Sequence, residues 1–220
     1  MKKRNKLIPL CGSKFGKGLG GTQRVCYREP GHQGRCDDMP FLLHLKEVKP
    51  KVADKIIRDS FNTRGASWGK TLEGSQKRRN RQPRWTLKQG DVFFPAHHQT
   101  YANCLIVAAE LTLQAYEMAG APDCPDEIVK WLLRKPQKDT GLCPICKELL
   151  AFAEFDLAVR SKAAIDTDHL DPTIERRHVS GNVYFVHHIC NTTKGDRSLK
   201  EFEAWMVSTL ARYGYTVTHR

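Results

Sequence analysis

CPICKELL at residues 143–150, AIDTDHLDP at 164–172 and GNVYFVHHICNTTKGD at 181–196 decide how this chain is read. Cys143 and Cys146 are separated by two residues, and His187 and Cys190 repeat that spacing. Structural zinc sites take four Cys or His ligands in a tetrahedron, commonly from two such short-spaced pairs. The interval between the pairs leaves room for a hairpin. The spacing therefore predicts a structural Zn2+ on Cys143, Cys146, His187 and Cys190. His188 stands beside His187, and the i, i+3 match to Cys190 selects His187. A redox C-x-x-C belongs near a βαβ pattern, and none flanks this one. Ala164 to His169 reads as a strand ending at polar residues. Asn182 to Val186 reads as a second strand or the turn into a helix, and His188 to Lys194 as that helix.

Asp168 and His169 lie inside the zinc bracket. An imidazole with an ordinary pKa of about 6.5 can take a proton from water near neutral pH. A neighbouring carboxylate can hold a divalent metal that neutralises a scissile phosphate and its leaving oxygen. Mg2+ keeps most of its waters and needs only one or two protein oxygens, so Asp168 and the side-chain carbonyl of Asn191 suffice for Mg2+ or Mn2+. Asp166 and Asp171 are secondary carboxylates, ranked below Asp168 because Asp168 adjoins the base. Lys194 and Arg197 follow Asn191 and are candidates for phosphate contact. Arg176, Arg177 and His178, between the two strands, are candidates to face a DNA backbone.

These residues together resemble the HNH family of nucleases, with its ββα-metal fold. The Asp-His pair ending the first strand is Asp168-His169, followed by Leu170-Asp171-Pro172. The Asn in the loop is Asn182, after Gly181. The residue early in the helix, after a zinc-knuckle cysteine, is Asn191, between Cys190 and Lys194-Gly195-Asp196. The resemblance implies that His169 is the general base and that Asp168 and Asn191 bind the catalytic metal. It also implies that Asn182 holds the loop that orients His169. The chain departs from the family name in having Asn at 191, which suits an oxygen-preferring ion, and in having His187 where cysteine is frequent. The resemblance covers roughly a quarter to a third of the chain.

Outward from this segment the signals are weaker. Residues 149–166 are mixed apolar and read as a strand or a short helix. Ser198-Leu199-Lys200-Glu201 is a capping box opening a helix with Leu199, Phe202, Trp205, Met206 and Leu210 on one face. Residues 99–119 form the strongest helix, stopped by Gly120 and Pro122, with Cys104 a buried small hydrophobe. A further helix is expected over 125–134. Residues 41–62 read as helix interrupted by Pro50, with Val52, Ile56, Ile57 and Phe61 at helical spacing. Residues 63–90 are polar and basic. Lys77, Arg78, Arg79, Arg81 and Arg84 cluster there between Trp68 and Trp85, as a DNA-contacting loop or a linker. Cys11, Cys26, His32 and Cys36 lie in a Gly-rich, apolar-poor arm that would need a staple to fold. They form a candidate second Zn2+ site, without a C-x-x-C pair.

The expected architecture is α+β. It comprises a Cys/His-rich basic unit over 1–40, a helical, basic target-recognition region over 41–138, and a ββα-metal nuclease module with a zinc knuckle over 139–220. The formal charge of +12 favours an anionic partner, most often nucleic acid. No apolar run approaches the roughly 20 residues of a membrane helix, and the basic start lacks an apolar stretch of signal-peptide length. A cytoplasmic protein, prokaryotic or phage-encoded, is therefore expected. In that compartment the eight cysteines are metal ligands or free thiols rather than disulfides.

The expected function is metal-dependent hydrolysis of phosphodiester bonds in double-stranded DNA, as a sequence-specific type II restriction enzyme. A homodimer on a palindromic site and a methyltransferase of the same system are the expected partners. Homing, phage and modification-dependent nucleases share the module. A non-catalytic zinc DNA-binding protein is the reading from a different class, and it needs no joint set of Asp168, His169, Asn182 and Asn191.

Overall fold

The computed structural model describes residues 39–63, 82–91, 93–158 and 161–218, together with strands at 14–17 and 23–25. Those two strands, β1 (Lys14–Lys17) and β2 (Gln23–Val25), pair antiparallel with a bulge between Phe15 and Lys17. A short 3-10 turn at Pro40–Leu42 leads into α1 (Leu43–Val48). Pro50 then opens α2 (Pro50–Phe61) at its first turn, where a missing N–H and a fixed φ cost nothing. Val52, Ala53, Ile56 and Phe61 turn inward, while Lys51, Asp54 and Arg58 face out.

The central element is α3 (Tyr101–Glu117), whose N-cap Thr100 side chain accepts from Asn103 N. Cys104, Val107, Ala108, Leu111, Thr112 and Ala115 are all fully buried. An apolar character on most faces means a helix enclosed by its neighbours, and α3 packs between α2 and the C-terminal hairpin. The carboxylate of Glu117 is buried at its end and takes both guanidinium nitrogens of Arg134, one at 2.9 Å, plus Gln137 N at 3.1 Å. A buried carboxylate needs such partners. The helix expected over 125–134 shrinks accordingly to one turn, α4 (Asp126–Val129). Beyond Val129 the chain continues only as i→i−3 turns, with Trp131 N donating to Ile128 O and Leu132 N to Val129 O, and Arg134 closes on Glu117.

A 3-10 turn at Phe152–Asp156 occupies the ambiguous stretch before the hairpin. The hairpin is β3 (Ile165–His169) paired antiparallel with β4 (Val183–His187), in register from Ile165↔His187 to His169↔Val183. Phe185 N donates to Gln114 Oε1 at 3.0 Å, fixing β4 on α3. Helix α5 (His188–Lys194) continues directly from β4 and stops at Gly195, whose φ is 59°, a left-handed conformation that suits glycine.

Helix α6 (Leu199–Arg212) has the full capping box between Ser198 and Glu201. Its apolar face is buried only at its near end. Phe202 is 3% exposed, but Trp205 and Leu210 are 42% and 41% exposed, because the helix projects past the core it docks on. One apolar cluster runs from Phe41 through α3 to Phe202, joining the helical region to the hairpin. Among the described residues no helix is long and apolar enough to cross a membrane.

Candidate active site and metal cluster

Cys143 and Cys146 sit on a tight turn closed by a bridge between Leu142 and Leu149. Cys143 N donates to Glu148 O at 2.8 Å and Lys147 N donates to Cys143 O at 2.9 Å, with Lys147 at φ 64°. The turn lies against the end of α3 at Gly141, where a Cβ would meet the Glu117 backbone at 3.0 Å. The end of β4 and the first turn of α5 bring His187 and Cys190 to the same point. The ligand atoms of Cys143, Cys146, His187 and Cys190 all lie within 4.8 Å of one another. His187 Nδ1 faces Cys146 Sγ at 3.4 Å, while its Nε2 faces Glu154 Oε2 at 3.6 Å. Metal-binding histidines commonly present their second nitrogen to such a carboxylate. His188 points elsewhere, to Asp166 Oδ2 at 2.8 Å. Burial, with the Cys143 thiol beside it, pushes the Cys190 thiol up, and burial raises Cys146 too. Three thiols and an imidazole at this range are a soft, tetrahedral donor set that fits Zn2+.

At the end of β3, His169 Nε2 lies 3.3 Å from His178 Nδ1. His178 is fully buried, and its Nε2 donates to Ser60 O at 2.7 Å. Burial, with Arg84 and His169 nearby, holds His178 well below the ordinary imidazole pKa. The ring of His97 meets His169 at 5.7 Å between centroids, and Arg84 Nη1 lies 3.2 Å from His97 Nδ1. Asn182 clamps the intervening loop. Its Oδ1 accepts from Asp171 N at 2.8 Å, and its Nδ2 donates to the carbonyls of Asp171 and Arg177 at 2.9 and 2.8 Å.

Asp166 and Asp168 share one side of β3, and Thr167 and His169 the other. Asp168 is 7% exposed and pairs through Oδ2 with Lys194 Nζ at 3.1 Å. Asp166 Oδ2 accepts from Asn191 Nδ2 at 3.0 Å and also faces His188. Asp171 instead caps its own loop through Thr173 N and Oγ1. Asp166, Asp168, His169 and Asn191 line one cleft of about 990 Å3. Asp168 and the Asn191 carbonyl supply oxygen donors only, the chemistry that a hard divalent ion prefers.

Several cations expected at DNA are placed differently. Lys194 has no exposed side-chain surface. Besides Asp168 it donates to Gly195 O and Arg197 O at 3.2 and 2.8 Å, because a buried ammonium must find acceptors. Arg84 is 4% exposed and donates to the carbonyls of Ser60 and Asp59, both at 3.2 Å. It is a buried clamp, and Trp85 beside it packs on Phe61 and Tyr101. His178 is enclosed rather than facing outward. Arg197 folds over Trp205 at 5.1 Å. Arg176 is exposed, and Arg177 lines the cleft with a buried Nε that has no hydrogen-bond partner among the described residues. Lys77, Arg78, Arg79 and Arg81, and the cluster Cys11, Cys26, His32 and Cys36, lie outside the described residues.

Sequence reading missed the opposite wall of the cleft. It is built by α2, from which Lys51, Lys55 and Arg58 reach the lining. Their i, i+4, i+7 spacing opposite Val52 and Ile56 was the available signal. Asp59 joins this wall to β3 by accepting from Thr167 Oγ1 at 2.9 Å, and from Lys55 Nζ at 2.9 Å.

Residues 95–190 match the family model DraIII, of a restriction-enzyme family. The match takes in His97, the metal cluster, Asp168, His169, His178 and Asn182, and stops one residue before Asn191. Among solved structures the chain is similar to one titled "Crystal structure of a type II restriction endonuclease", at 27% identity with a TM-score of 0.70. That likeness covers 93% of this chain and 98% of the other. No curated protein matches the chain. The fold is thus a mixed α and β arrangement similar to that of a restriction endonuclease.

Proposed function

We propose that this protein is an HNH-type endonuclease that hydrolyses phosphodiester bonds in double-stranded DNA, dependent on Mg2+ or Mn2+, as a type II restriction enzyme. One observation carries the reading. His169, Asp168 and Asn191 line a single cleft, beside a strand–strand–helix unit that carries the Cys3His cluster at one end. The likeness over nearly the whole chain to a type II restriction endonuclease supports the same assignment.

Zn2+ on Cys143, Cys146, His187 and Cys190 would pin the knuckle to the start of α5 and so fix Asn191 relative to β3. Asp168 and Asn191 would hold the catalytic ion. When bound there, a hard divalent ion neutralises charge on the scissile phosphate and its leaving oxygen. His169 accepts a proton from the attacking water as the water oxygen bonds to phosphorus and the P–O bond to the leaving sugar oxygen breaks. Asn182 keeps the loop behind His169 closed. Lys194 pairs with Asp168 and orients it before any ion arrives. Lys51, Arg58 and Arg177 on the two walls, with the exposed Arg176 next to Arg177 in sequence, grip phosphates.

Each chain carries one such site, so cutting both strands of a palindrome calls for a homodimer. A restriction enzyme also shares the cytoplasm of a prokaryotic or phage-infected cell with DNA it must spare, which calls for a partner methyltransferase. The test is cleavage of methylated and unmethylated plasmid with Mg2+ by the wild type and His169→Ala, followed by sequencing of the ends. Discrete ends from the wild type and none from the variant are expected. Equal cleavage by the variant would sink the base assignment. Absence of cleavage by the wild type on every substrate would return the non-catalytic DNA-binding reading.

A further inference from the structure

We infer that His178 is the positioning residue for the general base, holding His169 as the Nε2–H tautomer with the lone pair on Nδ1. The inference rests on the nuclease reading for its consequence, and on geometry alone for the contact itself.

The argument runs inward from Ser60. Its carbonyl, at the end of α2, accepts from His178 Nε2 at 2.7 Å and from Arg84 Nε at 3.2 Å. A carbonyl cannot donate, so His178 carries its proton on Nε2. A neutral imidazole then has only an acceptor on Nδ1. His178 is neutral, being fully buried with the Arg84 guanidinium sharing its acceptor. His178 Nδ1 lies 3.3 Å from His169 Nε2, so His169 donates from Nε2. Its lone pair is consequently on Nδ1. His97 packs edge-on against the same ring and limits its rotation. Its Nδ1 accepts from Arg84 Nη1, since arginine can only donate.

The general base is thus oriented by residues from four separate parts of the chain: the end of α2, the turn at Arg84, the segment at His97 before α3, and the loop after β3. A base must present the correct nitrogen within hydrogen-bond reach of the water it activates. A flipped ring or the other tautomer presents a donor there instead.

The test uses the zinc-loaded full-length protein. First, 15N–1H long-range correlation spectra of 15N-histidine protein assign tautomers, with His169→Ala identifying the His169 signals. Wild-type His169 and His178 should both show the Nε2–H pattern. An Nδ1–H or averaged pattern at His169 overturns the proposal, whether or not the protein cuts DNA. Second, His178→Phe keeps the bulk but removes the acceptor. Its kcat should fall about 100-fold with KM within about twofold. His178→Asn places Oδ1 where Nδ1 stood and should recover most of that loss, as a merely space-filling role would not. Wild-type kcat in His178→Phe, or an Asn variant as slow as Phe, overturns the assignment. Should His178→Phe fail to fold, the Asn variant and the wild-type tautomers decide. A protein that cuts no DNA but shows the Nε2–H pattern would refute the nuclease reading and leave the contact standing.

Discussion

Lys194 provides the sharpest test of how the site is held together. Its ammonium is fully enclosed and sits 3.1 Å from the buried Asp168 Oδ2, and it also binds the carbonyls of Gly195 and Arg197. Lys194→Met keeps the length and the apolar stem but deletes the charge. Asp168 is then a buried carboxylate without its cation, and two carbonyls lose a donor. Breaking one side of a buried pair costs about 3–5 kcal/mol. For a chain of this size each kcal/mol moves the midpoint by about 2–4 °C, so the Tm should fall by about 6–20 °C in the presence of a magnesium-selective chelator. Thermal unfolding followed by circular dichroism measures this. Two further readings identify the cause. Asp168→Asn added to Lys194→Met should restore stability, because the uncompensated charge is gone, giving a coupling between the two positions well above 0.5 kcal/mol. Millimolar Mg2+ should raise the Tm of Lys194→Met more than that of the wild type, by supplying another cation to Asp168. A loss below about 1 kcal/mol, or a double variant no more stable than the single, would refute the reasoning.

Other consequences are separable by measurement. Cys146→Ser should lose bound zinc and lower stability, since structural zinc contributes folding free energy directly; unchanged zinc content by atomic absorption would remove that role. His178 is held well below its ordinary pKa mainly by burial, so the unfolded chain binds more protons there once the pH drops below about 6.5. The stability that wild type has relative to His178→Asn should therefore shrink on acidification from pH 7 to 5, by at most about 1.4 kcal/mol per pH unit; a constant difference in urea unfolding would contradict this. Arg58→Ala should reduce the salt slope of DNA binding by about one counterion. Arg84→Ala, at a buried clamp, should leave that slope unchanged while costing about 2–4 kcal/mol of stability. Binding isotherms across a salt series distinguish the two.

The parts legible in the sequence share a short range. The C-x-x-C and H-x-x-C spacings, the start of α5 at His188 and the box from Ser198 to Glu201 are set by neighbours within a few residues. Local geometry is enough to bring four candidate ligands together once a hairpin joins them. The single turn of α4 was not legible, because the partner of Arg134 is Glu117, on a different helix. The apolar face of α6 was legible as a pattern, but its partial exposure depends on where the core ends.

The cations divide the same way. Composition and spacing alone place a basic protein around an Asp-His pair bracketed by metal ligands. They do not say which bases face DNA. Arg84, His178 and Lys194 each look like exposed cations in a polar stretch, and each is buried. His178 and Arg84 meet at Ser60, which is 118 residues from one and 24 from the other. Lys194 is drawn in by Asp168 across the hairpin. Burial of a charge depends on acceptors brought together by the chain's path, and a linear pattern carries no record of those distances. Residue type and spacing thus limit which chemistry the cleft can hold, and long-range packing decides which histidine nitrogens meet there and which cations stay at the surface.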